Sequence, residues 1–340
     1  MSVTQAAAHS ATAVAGAPPR GDLAVEATGL VKRFGDVVAV DGVDLTVGIG
    51  EVFGVLGPNG AGKTTMLRML TTLLPIDGGR ARVFGVDVAS HPHQIRQLVG
   101  VTGQYASVDE NLTATENLWL FGRLLGVRSK EAKARARDLL GRFGLEDAAD
   151  RQIRTFSGGM RRRLDLAASL VSRPPLIFLD EPTTGLDPRT RGQMWDTIRE
   201  LIRDGATVLL TTQYLDEADQ LADRVAVIDR GRKVAEGTPN ELKAGVGNST
   251  LYVQLTDAER TAEAAAMAER ILGEMPTLTP EAGGLSIALP DPNRAADVLI
   301  ALRTAEISIA TASVRQPTLD EVFLAITGHY TETSDPQEPR

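Results

Sequence analysis

Cysteine is absent from the 340 residues, which excludes disulfides and thiolate metal sites and leaves a reducing compartment compatible. Only four histidines occur, His9, His91, His93 and His329, too scattered to form a recognisable ligand set. Aromatic residues are scarce at 4%, yet 43% apolar and 24% charged residues place the chain in the globular range and exclude wholesale disorder. Positive charge is outweighed, with a net charge of -8. That balance excludes a broad electrostatic grip on nucleic acid, and no nucleic-acid partner is expected. No run approaches the ~20 consecutive apolar residues that a membrane-crossing helix needs, so the chain is expected not to cross a bilayer by itself. The first twenty residues are rich in Ala, Ser and Thr but have no basic start followed by an apolar run. They read as a flexible tail, 1–21, rather than a signal peptide.

What is present has the rhythm of an α/β fold. Apolar runs suited to buried parallel strands, Glu51–Leu56, Leu176–Leu179, Ala206–Thr211 and Arg224–Ile228, are separated by helix-sized segments. Between Gln104 and Arg154 the pattern turns helical. Thr113 reads as an N-cap before Glu116, followed by the apolar run Leu118–Leu125 and a charged amphipathic segment, Lys130–Phe143. After Gly245 and Gly247 a second, small α/β unit begins. It has the alternating Leu251, Val253 and Leu255, an Ala-rich helix Ala258–Leu272, a strand Leu285–Leu289, a helix near Arg294–Arg303 and a last strand near Ile307–Ser313. The polar end, 329–340, reads as a second tail.

The residues Gly57-Pro58-Asn59-Gly60-Ala61-Gly62-Lys63-Thr64-Thr65 fit G-x-x-x-x-G-K-[ST], after a strand and before a helix expected over Thr64–Leu74. Glycines at these positions let backbone N–H groups curl around phosphate oxygens. The helix N-terminus adds partial positive charge, Lys63 reaches the outer phosphates, and Thr64 can ligate magnesium. Downstream, the apolar strand Leu176–Leu179 delivers Asp180 and Glu181 to its C-terminal edge, where Pro182 stops it. Asp180 is suited to hold magnesium through its water shell, and Glu181 to orient and polarise an attacking water. The pair alone could be an acidic turn; beside a phosphate loop it belongs to the nucleotide site. ATP and Mg2+ are therefore the expected cofactors.

Phe156-Ser157-Gly158-Gly159-Met160 opens an amphipathic helix, Arg161–Leu170, a short way upstream of Asp180. Ser before two glycines is by itself a plain N-cap. In this position it resembles the Leu-Ser-Gly-Gly-Gln signature of the ATP-binding cassette (ABC) family, and the resemblance spans about Leu23–Lys243. It implies a P-loop ABC nucleotide-binding domain, 22–246, with a helical subdomain over about 104–172, plus a small C-terminal α/β domain, 247–328. By the same resemblance Phe34 looks like the aromatic on which adenine stacks, its alternative role being a core Phe. Gln104 looks like the Q-loop glutamine near the magnesium, and Gly185-Leu186-Asp187 resembles the loop that runs along the dimer interface. In that family two subunits pair head to tail, so that Ser157, Gly158 and Gly159 of one enclose ATP on the phosphate loop of the other. A homodimer is therefore expected.

Three positions depart from the family pattern: Phe156 and Met160 in the signature, and Gln213 where the family usually has a histidine. No histidine lies between Glu181 and Arg224 to substitute for it. A Gln amide can still donate a hydrogen bond to a γ-phosphate but cannot become cationic, which implies slow turnover with little pH dependence from this position. The runs Thr102–Asp109, Thr212–Asp219 and Pro317–Leu324 together look like the daunorubicin/doxorubicin-resistance ATP-binding subunits. Those proteins power anthracycline export through a separate multi-spanning membrane permease subunit. The resemblance implies a peripheral protein on the cytoplasmic face of the cell membrane, with the C-terminal domain regulatory or dimer-stabilising. The alternatives are export of another cargo (a lipid, polysaccharide or other natural product), a soluble ABC ATPase acting on ribosomes or DNA, or a simple P-loop kinase or GTPase. One phosphate loop, no sustained heptads and the presence of a signature motif weigh against the last two.

Overall fold

The apolar runs become strands that are buried from end to end, as parallel strands covered on both faces must be. The computed structural model describes residues 23–103, 108–245, 249–279 and 282–327; Gln104 and both expected tails lie outside the described residues. From the N-terminal side the elements are β1 (Leu23–Phe34), β2 (Val37–Gly48), β3 (Val52–Leu56), α1 (Lys63–Leu70), β4 (Gly78–Val83), β5 (Val86–Asp87), α2 (Pro92–Leu98) and β6 (Val99–Thr102). The helical part follows, with α3 (Ala114–Leu124), α4 (Ser129–Arg142) and α5 (Gly158–Ser169). The chain returns through β7 (Leu176–Asp180), α6 (Pro188–Arg203), β8 (Thr207–Thr212), α7 (Leu215–Leu221), β9 (Arg224–Asp229), β10 (Arg232–Gly237) and α8 (Pro239–Ala244). The remainder is β11 (Ser249–Leu255), α9 (Thr261–Leu272), β12 (Thr277–Leu278), β13 (Gly284–Leu289), α10 (Ala295–Thr304), β14 (Ile309–Arg315) and α11 (Leu319–Thr327).

The central sheet has the order β10-β9-β3-β8-β7-β6, parallel except for β10. In such a sheet ligands sit beyond the carboxyl ends of the strands, and that edge carries Leu56, Asp180 and Thr212. An antiparallel sheet of order β2-β1-β4-β5 lies over α1, sharing a core that includes Leu30, Val40, Met66, Leu70 and Phe53. The other face of the central sheet packs on the helical part, with Leu118, Leu139, Phe143, Leu164 and Ile198 in one core. Thr113 caps α3 as expected: its side chain accepts from the Glu116 N–H, while Glu116 accepts from the Thr113 N–H at 2.8 Å.

The expected helix Thr64–Leu74 stops four residues early. Thr71 Oγ1 donates to the Leu67 carbonyl at 2.9 Å, and Thr72 takes a φ of 63°, a left-handed conformation that ends a helix. The helix expected over Arg161–Leu170 instead begins at Gly158, with Ser157 as its N-cap accepting from the Met160 N–H.

The C-terminal sheet, order β12-β13-β11-β14, is antiparallel throughout. It encloses its own core with α9 and α10, built on Leu251, Val253, Ile287, Ala268 and Val298. The last helix leaves that core. On α11, Leu319, Val322 and Phe323 pack with Leu56, Leu215, Ala218, Val225, Val227 and Leu242, so the nucleotide-binding part is closed by residues from the far end of the chain. Asp320 and Glu321 lie in the first turn of α11, and Glu321 caps it by accepting from the Thr318 N–H at 3.0 Å.

Candidate functional site

The loop between β3 and α1 has glycines where no side chain fits. A Cβ on Gly57 would lie 2.2 Å from the Ile228 carbonyl oxygen, and one on Gly62, whose φ is 104°, would lie 2.3 Å from that of Ala39. Gly60 has a φ of 77° and open space around it, so its requirement is conformational. Pro58 and Ala61 close the turn through an Ala61 N–H to Pro58 carbonyl bond of 3.2 Å. Asn59 is exposed at the tip. Lys63, Thr64 and Thr65 then form the first turn of α1, whose free N–H groups and dipole favour an anion.

Lys63 is 4% exposed. Its ammonium donates to the Gly57 and Pro58 carbonyls at 2.8 and 3.0 Å and stands 3.4 Å from Glu181 Oε1. Burial pushes its pKa below the usual lysine value, opposed by Glu181 and Asp180. Across the strand ends, Asp180 Oδ1 accepts from Thr64 Oγ1 at 2.9 Å and from Thr211 Oγ1 at 2.6 Å. Glu181 has a φ of 49°, uncommon for a residue with a side chain. Its N–H donates to the Thr211 carbonyl at 3.0 Å, and Thr184 Oγ1 donates to its carboxylate at 3.2 Å.

A cleft of about 490 Å³ is lined by Asn59, Gly158, Arg162, Glu181, Gly185 and Gln213, among others. The structure thus brings the phosphate loop, the strand-end carboxylate, the start of the signature helix and the end of β8 around one space. Phe34 stands apart on the β1–β2 hairpin. It is 48% exposed, which removes its alternative role as a core residue, and the Lys32 ammonium lies 5.5 Å from its ring centre. Asp187 also stands outside that lining. Its carboxylate caps α6, accepting from Thr190 N at 3.0 Å and Thr190 Oγ1 at 2.7 Å, and these bonds hold its pKa below the usual carboxylate value. Gly159 is tightly packed, with a Cβ there falling 2.8 Å from the Thr190 methyl, whereas a Cβ on Gly158 would meet nothing within 4 Å.

Three contributors escaped the sequence reading. Thr211 was visible only as one of several threonines in an apolar strand, a placement that signals a polar partner. Glu217, fully buried on α7, accepts from Thr183 Oγ1 at 2.8 Å and Trp195 Nε1 at 3.2 Å; burial pushes its carboxyl pKa up. Arg162 is one of three successive arginines, and nothing in the sequence says which of them turns inward. Burial pushes its guanidinium down, against Asp165, Asp180, Glu217 and Glu181, though a guanidinium keeps its charge in proteins.

A phosphate loop after a parallel strand, two carboxylates at the end of the next strand but one in the same sheet and a helical part that returns a Ser-Gly-Gly helix N-terminus to the same cleft define an ATP-binding cassette. Comparison with known proteins agrees. The family model for ABC transporters matches residues 40–184, and that for the C-terminal domain of DrrA1-3-like ATP-binding proteins matches residues 237–327. The chain is 54% identical to the daunorubicin/doxorubicin resistance ATP-binding protein DrrA of Streptomyces peucetius over 93% of this chain and 96% of that one. It is 46% identical to the Nod factor export ATP-binding protein I of Ralstonia nicotianae, over 63% of this chain and 67% of that protein. Among solved structures, the dimeric post-hydrolysis state of an ATP-binding cassette bound to ADP and Pi superposes with a TM-score of 0.58 at 26% identity, covering 63% of this chain and 98% of that one. The chain belongs to the ABC transporter family, as an ATP-binding subunit of the branch that carries the DrrA1-3-like C-terminal domain. It is an ATPase coupled to transport.

Proposed function

We propose that two copies of this chain bind ATP head to tail and that hydrolysis drives efflux of a drug or antibiotic of anthracycline type through a separate multi-spanning membrane subunit. The observation that carries the chemistry is the convergence of Lys63, Thr64, Asp180 and Glu181 at one sheet edge. Backbone N–H groups of Gly57–Gly62 and the first turn of α1 cradle the phosphates, and Lys63 exchanges its carbonyl partners for phosphate oxygens. Glu181 orients and polarises the attacking water, and Gln213 donates to the γ-phosphate. Phe34, exposed on its hairpin, offers the adenine a face.

The residues present suit magnesium. Thr64 and Asp180 are hard oxygen donors 2.9 Å apart, and no cluster of three acidic, His or Cys ligands occurs among the described residues. That matches an ion which keeps most of its water and is shared with phosphates rather than caged by protein. Asp180 would hold it through water, with Gln104 as the third residue proposed to contribute. When bound, the ion neutralises charge developing on the phosphates.

The dimer reading rests on Gly158. Glycine at a helix start costs conformational entropy, yet the space around it in one chain is open. The missing side chain is therefore of use to something outside that chain, which the reading identifies as the partner's ATP, with Ser157 and Gly159 beside it. Asp187 lies along the same interface. The drug assignment is supported by the C-terminal unit: relatives named for daunorubicin or doxorubicin resistance match over nearly their whole length, and the Nod factor relative over about two thirds of its own. No helix among the described residues is long and apolar enough to cross a membrane, in keeping with a peripheral subunit on the cytoplasmic face.

The test is capture of the Glu181→Gln protein with ATP from its native cells, then co-expression of the chain with the membrane protein recovered. Cells carrying the wild-type pair should retain less anthracycline than cells carrying the Glu181→Gln pair. Equal retention, with ATPase activity present, would end the drug reading.

A further inference from the structure

Arg162 lies in the first turns of α5, five residues beyond Ser157, and its side chain leaves its own helix to collect four backbone carbonyls. Nε donates to the Pro182 oxygen at 3.0 Å, Nη1 to that of Gly103 at 2.6 Å, and Nη2 to those of Asp180 and Glu181 at 2.8 and 2.6 Å. Asp180 is the last residue of β7, Glu181 and Pro182 follow it, and Gly103 follows the end of β6, so the four oxygens gather at the carboxyl edge of the sheet. A planar fork of five N–H donors satisfies them at once, which a lysine or a neutral amide cannot do.

The consequence falls on Glu181. Its peptide N–H is fixed to Thr211 at the sheet, while its carbonyl is fixed to the signature helix through Arg162. Held from both sides, the residue keeps a left-handed φ of 49°, and its carboxylate points at Lys63, 3.4 Å away. The same guanidinium holds Gly103, the last described residue before Gln104. Any shift of α5 relative to the sheet must therefore move the groups that hold Glu181.

We infer that Arg162 is a positioning residue that makes Glu181 of each subunit respond to whether that subunit's own signature helix is engaged. This rests on the dimer reading above. There, Ser157 and Gly158 touch ATP bound to the partner, whereas Glu181 acts on ATP bound to its own phosphate loop. Arg162 thus links the two nucleotide sites of the dimer through one side chain. Engagement at one site sets the hydrolytic carboxylate at the other.

The experiment uses the full chain with its membrane partner and compares wild type, Arg162→Ala and Arg162→Lys. Binding of a fluorescent ATP analogue, melting temperature, kcat, KM and the Hill coefficient for ATP are measured together. In Arg162→Ala, analogue affinity should stay within about twofold, kcat should fall about tenfold or more, and the Hill coefficient should drop to about 1. Arg162→Lys, which keeps the charge and loses the fork, should not restore kcat. Wild-type kcat and Hill coefficient in Arg162→Ala would overturn the inference. So would loss of analogue binding or melting in both variants, which would mark a purely structural role, and so would a wild type without cooperativity. A wild type that neither binds the analogue nor hydrolyses ATP would instead sink the proposed function itself.

Discussion

Thr64 Oγ1 donates to Asp180 Oδ1 at 2.9 Å, joining the first turn of α1 to the end of β7 where the magnesium would sit. Thr211 makes the second bond to the same oxygen, so the carboxylate is aimed by two hydroxyls. Thr64→Ala should raise the Mg2+ concentration needed for half-maximal ATPase activity by roughly tenfold or more. Thr211→Val, of nearly equal shape, should leave that requirement closer to wild type. It should cost about 1–3 kcal/mol of stability, because a buried acceptor loses a donor. Magnesium titrations and thermal melts of the two variants separate these outcomes.

Two glycines of the site should behave oppositely. Gly62→Ala forces a Cβ to within 2.3 Å of the Ala39 oxygen at a positive φ, so folding and nucleotide binding should both suffer. Gly158→Ala meets open space; its melting temperature and single-chain nucleotide binding should match wild type, while ATPase activity falls about tenfold or more as the dimer closes poorly. Wild-type ATPase activity in Gly158→Ala would remove the main support for the sandwiched dimer.

Glu217 gives the protein a pH signature. Burial raises its pKa, with the Thr183 and Trp195 bonds opposing and Asp216 adding to the rise; Arg162 faces it as a cation. A carboxyl whose folded pKa lies above the unfolded value contributes stability that is fully present below the unfolded value and is lost as pH rises through the folded one. Thermal melts of Glu217→Gln and wild type should therefore run parallel below the ordinary carboxyl value of 4.5. As pH rises from there, wild type should lose stability relative to the variant until Glu217 has ionised. Curves that stay parallel above that pH as well would show that Glu217 ionises normally.

Gln213 is 8% exposed at the end of β8 and lines the cleft. Gln213→His should add an ionising group near pH ~6.5 and put a limb in the kcat profile that wild type lacks. Identical profiles would mean that residue 213 does not reach the γ-phosphate.

Phe323 of α11, 1% exposed, packs with Leu56, Val225 and Val227. Phe323→Ala should cost about 3–5 kcal/mol and lower the melting temperature of the nucleotide-binding part, which ATP would partly restore. A melt in which only the C-terminal sheet unit loosens would contradict that packing.

The catalytic edge was legible because its signals are local. A four-residue apolar run, Leu176–Leu179, followed by Asp180 and Glu181, or a glycine loop before Lys63, can be read without knowing what lies across from it. The antiparallel sheet at 23–48 was not read, because its alternation is broken: β1 and β2 shift register at Leu30 and again beyond Lys32, with Gly29 at a φ of 60°. The end of α1 was placed too late because a threonine hydroxyl, not a glycine or proline, stops it. Arg162 and α11 depend on contacts between distant segments. The apolar face of Leu319, Val322 and Phe323 shows that the helix is buried, not that it leaves its own unit to pack on α7 and α8.

The placement of α11 also orders the birth of the molecule. Leu56, Val225 and Leu242 leave the ribosome long before Phe323, and the whole β11–β14 unit is translated between them. Until that unit has been made, the nascent cassette carries an open apolar seam beside its own phosphate-loop strand. A message cut short within the C-terminal unit would leave that seam uncovered, an apolar surface open to chaperones and proteases.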